Sequence, residues 1–127
     1  MGTMQWLVEV HNVLSNMIGI YALVAGIWGL INFLRRQAPD GSYNAVLAIA
    51  VGLFVVEGIV GVILVLTGYQ PARGLHFLYG VTIMITIPAI FAFTRGSNTV
   101  RESLLYGIGM LFIWGLAERA LDTALNP

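Results

Sequence analysis

The chain of 127 residues contains two histidines, and each opens an alternate apolar segment: His11 the first, His76 the third. If consecutive segments run antiparallel, segments one and three start from the same face, so both rings fall at one depth. Neutral imidazole is a nitrogen donor, and two imidazoles on opposite sides of one iron are the axial set of a low-spin haem. The spacing therefore predicts one haem b held between segments one and three, with His11 and His76 on the iron.

A flat macrocycle also needs clearance and counter-charge. One turn after His11 stands Ser15 and one further Gly19, while Gly80 follows His76 by one turn, so small residues share a face with each histidine. Arg73 and Arg119 belong to the same end and are expected to pair with the propionates. Glycine and serine also serve close helix packing, and Arg119 has Asp122 one turn away. A chlorin pigment on one histidine is an alternative. Another is a non-haem metal held by the histidines with Glu9, Glu118 or Asp122. Glu9 and His11 are two apart, which puts their side chains on different faces of a helix and ranks that site below haem.

Composition supplies the elements that must carry these residues. With 58% hydrophobic and 9% charged residues, and a mean hydropathy of +0.87, the chain lacks the polar surface a small water-soluble globule needs. The formal net charge of +0 gives no purchase for nucleic acid, and with no cysteine there are no disulfides, thiolate metal sites or thiol nucleophiles. Every basic residue is Arg. No catalytic triad, phosphate loop or zinc-protease motif is present, so neither a hydrolase nor a kinase is expected.

The predicted fold is an all-α integral membrane protein, one domain over 1–127, with four transmembrane helices in an up-down-up-down bundle. The helices are expected near 10–34, 44–67, 75–94 and 100–121, each close to the roughly 20 residues that a hydrocarbon core of about 30 Å requires. The fourth is the weakest, because its uncharged part runs only from Ser103 to Ala117 and Arg101, Glu102, Glu118 and Arg119 must snorkel. Pro39, Asp40 and Gly41 mark a turn, with Ser42 available to cap helix two, and Thr99 and Glu102 have capping-box spacing at the start of helix four. Pro88 is expected to kink or open helix three. The leading MGTMQWLVEV has no basic stretch and reads as retained, with Trp6 anchoring an amphipathic lead-in at the interface.

Arg35, Arg36, Arg95 and Arg101 lie in or beside the connections between helices one and two and between three and four, against Arg73 and Arg119 at the other end. By the positive-inside rule both termini and both histidines face outward across a cytoplasmic membrane.

Glu57 is an acid deep in helix two, and an ionisable group at such depth is by default a functional candidate. Counting ~1.5 Å per residue from the helix ends places it roughly 16 Å from the histidine level, beside Tyr21 and Thr86 and out of reach of the imidazoles. It is then a proton relay, a quinone ligand, or a protonated acid bonded to Thr86, Tyr21 or a carbonyl freed by Pro88. The close-packing residues Gly58 and Gly61 neighbour it.

In architecture and histidine placement the chain resembles the small four-helix transmembrane b-type cytochromes and the haem-bearing membrane anchor subunits. The resemblance implies electron transfer between a quinone pool and a partner protein, with axial roles for His11 and His76. Two other functions compete: a cofactor-free scaffold of a larger membrane complex or homo-oligomer, using the Ala22/Gly26 and Ala25/Gly29 spacings as contact faces, and a small proton-coupled carrier acting through Glu57.

Overall fold

The computed structural model describes residues 5–127 and is all-helical over them: α1 (Gln5–Leu34), α2 (Gly41–Leu66), α3 (Leu75–Thr94) and α4 (Val100–Leu125). The first four residues of the expected leader lie outside the described residues. Each helix is long and apolar enough to cross a membrane. Thirty residues give α1 a length of about 45 Å, well beyond a hydrocarbon core of about 30 Å. The surplus is at its N-terminus: the lead-in carrying Trp6 is the first turns of α1 itself, so the helix begins at Gln5 and not near residue 10.

Side chains on the outside are as apolar as those within. Ile20 is 67% exposed, Phe93 77% and Leu66 80%, a surface that suits hydrocarbon and not water. The inner positions are smaller and tighter: Ala22, Ala25 and Ala50 join Tyr43, Phe54, Met110 and Ile113 in one buried cluster. Helices adjacent in sequence pack side by side, α1 packs most extensively on α4, and α2 meets α3 least. The ring order is therefore α1, α2, α3, α4, which leaves α1 and α3 diagonal to one another.

Glycines set the α1–α4 approach. A Cβ on Gly29 would stand 2.7 Å from Gly107 Cα, and one on Gly107 would stand 2.9 Å from Leu30 N, so backbone meets backbone there. Ala22, Ala25, Gly26 and Gly29, expected as faces for other chains, are all buried inside this one. The same pairing accounts for the weak hydropathy of α4. Its residues Ser103, Tyr106, Met110, Ile113 and Ala117 form a buried stripe at helical spacing.

The ends are tied by specific bonds. Asn98 Nδ2 donates to Pro39 O at 2.6 Å and Ser103 Oγ to Gln37 O at 2.6 Å, which joins the two connections at one end. At the other, Ala72 and Arg73 donate their backbone N–H groups to Ala124 O (3.1 Å) and Thr123 O (2.8 Å), satisfying carbonyls in the last turn of α4. The expected capping box is present: Thr99 N donates to Glu102 Oε1 at 2.7 Å, and the Thr99 hydroxyl bonds the same carboxyl. Glu102 does not snorkel; it is 0% exposed, held by Thr99 and by Arg101 Nε at 2.9 Å. The cap of α2 is Asp40, whose Oδ1 accepts from Tyr43 N at 2.8 Å. Ser42 falls inside the first turn because α2 begins at Gly41, three residues before the expected start. Helix α3 runs through Pro88 to Thr94, where Arg95 takes a left-handed conformation (φ 54°) to close it.

Candidate functional site

At the end shared by the N-terminus of α1, the 67–74 connection and the C-terminus of α4, the helices line an open-sided cavity of about 430 Å³. That is within the range of about 300–1,000 Å³ typical of small-molecule sites. Its wall is apolar except where His11, Asn12, Ser15, Glu57, Tyr69, Gln70 and His76 reach it. The two histidines meet across the diagonal, with ring centroids 6.1 Å apart and planes inclined by 67°.

Each ring has an oxygen beside its Nδ1. His76 Nδ1 lies 2.7 Å from Ala120 O on α4. A backbone carbonyl can only accept, so Nδ1 carries the proton and the neutral ring keeps its lone pair on Nε2. His11 Nδ1 lies 2.9 Å from Glu57 Oε1, within ion-pair distance though not aligned as a hydrogen bond. Ser15 Oγ donates to His11 O at 2.8 Å and also stands against Glu57 Oε2. One turn along α2 from Glu57, Gly61 meets the neighbouring Cε1 edge of the ring: a Cβ there would come within 3.2 Å of His11 Cε1.

Glu57 thus belongs to the histidine level, contrary to the expected separation. The difference comes from the extra turns at the start of α1. His11 is six residues inside a helix that starts at Gln5, about 9 Å in, and Glu57 is nine residues from Leu66, about 13.5 Å in, so the two backbones differ by only ~4.5 Å in depth. Neither expected neighbour bonds Glu57. Tyr21 Oη donates to Val46 O (2.6 Å) and Thr86 Oγ1 to Thr82 O (2.6 Å).

The remaining residues divide. Gly80 lines the cavity with open space where a Cβ would be, and Ser15 lines it too. Gly19 does not; it is buried against α4, where an added Cβ would meet Glu118 Oε1 at 3.4 Å. Arg73 Nη2 donates to Asp122 Oδ2 at 2.6 Å, and Arg119 Nη1 is 3.7 Å from the same oxygen. Neither arginine is in the cavity wall, yet Arg73 keeps a buried Nε–H with no hydrogen-bond partner. Glu9 and Glu118 are exposed. Among the described residues no three His, Asp or Glu side chains gather as a metal site, so the two-histidine, carboxylate arrangement gains no support.

What the sequence hid was a lock between two one-turn pairs, His11 with Ser15 on α1 and Glu57 with Gly61 on α2. The spacings are legible, but only the register of α1 against α2 makes them face. Comparison with known protein families, with curated proteins and with solved structures finds no match.

Proposed function

We propose that all four helices cross a bilayer and that the chain is a small b-type cytochrome or haem-binding membrane subunit, passing electrons between a quinone pool and a partner protein. The observation that carries this reading is the histidine pair. Two imidazoles on opposite sides of one metal, at about 2.0–2.1 Å each, have centroids roughly 6 Å apart, against 6.1 Å here. His76 is held by Nδ1 to a carbonyl oxygen, the arrangement that orients ligating histidines and strengthens their donor nitrogen, and His11 has a carboxyl oxygen 2.9 Å from the same atom. Open space at Gly80 and the apolar wall suit a macrocycle.

His11 and His76 would hold the iron, Arg73 Nε would reach a propionate, and the apolar wall would exclude water. A bound haem would supply reversible one-electron chemistry. The protein's own part is to fix two nitrogen donors at opposite corners of the helix ring.

Absorption of protein purified in detergent, as isolated and after addition of hemin, tests the proposal. A Soret band with a sharp reduced α-band is expected, and His11→Ala and His76→Ala should each abolish the six-coordinate low-spin spectrum. A colourless protein that takes up no hemin, or an unaltered spectrum in either variant, overturns it. A shifted chlorin spectrum would give the site to a pigment.

A further inference from the structure

Two buried polar atoms, His11 Nδ1 and Glu57 Oε1, stand 2.9 Å apart, each without a hydrogen-bond partner as the two groups are oriented. Buried polar atoms rarely stay unpaired, and at this distance a small rotation of the imidazole or the carboxyl brings an Nδ1 proton onto Oε1. We propose that Glu57, braced by Ser15, is a positioning residue that fixes His11 with its proton on Nδ1 and its lone pair on Nε2. The proposal rests on the haem reading for its use, but its geometry stands without it.

Two groups meet the ring and a third braces one of them. Glu57 takes the Nδ1 side and Ser15 ties the Glu57 carboxyl to the His11 turn, through its bonds to Glu57 and to His11 O. Gly61, one turn from Glu57 on the same face of α2, leaves the space that the Cε1 edge occupies. A ring packed along its Nδ1–Cε1 edge against α2 loses little rotational freedom when it binds, and carboxyl-backed imidazole is a stronger donor than one facing solvent. His76 is backed by a peptide carbonyl instead. The two rings are therefore supported by different kinds of oxygen.

The test reads the ring directly. Apo-protein labelled with ¹⁵N-histidine, in detergent at about pH 8 where imidazole is ordinarily neutral, reports by NMR which nitrogen bears the proton. His11 should show a protonated Nδ1 in the wild type and a shift toward protonated Nε2 in Glu57→Leu, with His76 unchanged. Glu57→Gln, which keeps an acceptor oxygen and the shape, should retain the wild-type pattern; Ser15→Ala should shift part of the way and covers the case in which Glu57→Leu does not fold. Hemin titration of the same proteins should give roughly tenfold or more loss of affinity in Glu57→Leu, the usual scale for removing a ligand's supporting partner. A wild-type His11 with its proton on Nε2, or a pattern indifferent to both Glu57→Leu and Ser15→Ala, overturns the positioning role alone. A tautomer that responds as expected in a protein that binds no hemin supports the positioning role and sinks the haem reading.

Discussion

Asp122 shows what a single residue contributes at the histidine end. Its Oδ2 takes Arg73 at 2.6 Å, with Arg119 at 3.7 Å, and its Oδ1 accepts from Asn126 Nδ2 at 2.8 Å. Over a third of each side chain in the shorter pair is exposed, so solvent screens it and the pair is worth at most about 1 kcal/mol. Asp122→Asn is expected to lower the melting temperature of purified protein only slightly. Because that variant frees Arg73 for an anion, hemin affinity should hold or rise; a fall would mean that Arg73 needs Asp122 to be held in place. Glu57 teaches the complementary lesson. Its type marked it as functional from the sequence, but its partner depends on where α1 begins, which hydropathy fixes poorly because Gln5, Glu9 and Asn12 look like a lead-in.

Among the elements, α4 departs furthest from its appearance. Its charges and short apolar run make it the weakest span in sequence, yet it packs on both α1 and α3 and buries a full stripe. A helix partly surrounded by other helices needs less apolar surface than one facing lipid, so low hydropathy is the mark of its position. Gly107→Leu should destabilise the protein by about 1–3 kcal/mol or more, as overpacking does, since the new atoms meet α1 backbone. Gly115 has open space where a Cβ would be, so Gly115→Ala should be neutral or stabilising by up to about 1 kcal/mol through helix propensity. Thermal unfolding of both variants in one detergent checks the contrast; equal melting temperatures would contradict the packing. At the helix start, Thr99→Ala should cost about 1 kcal/mol by removing one half of the capping box.

At the scale of the whole molecule, the bundle has two unlike ends. One is closed by Asn98 and Ser103 bonding the opposite connection, and carries Arg35, Arg36, Arg95 and Arg101. The other holds the cavity and the histidines. The arginine bias predicts the closed end in the cytoplasm. The chain has no cysteine, so single replacements are clean probes. Ser97→Cys should react with a membrane-impermeant thiol reagent only in inverted vesicles, and Gln70→Cys only in intact spheroplasts. The opposite pattern would reverse the orientation and place the candidate site toward the cytoplasm.

The sequence by itself determined the class: four long apolar helices, the short connections, the capping box at Thr99 and the shared end of His11 and His76. These are local or additive properties, since hydropathy, turn chemistry and segment parity need no knowledge of packing. Tertiary structure decided which small residues face inward, how far α1 slides along α2, and hence that Glu57 and Gly61 stand beside the His11 ring. That slide is set by glycine and alanine contacts spread over several helices. Because a helix offers similar small-residue faces one turn apart, only the packed arrangement selects among registers that the chain alone leaves equivalent.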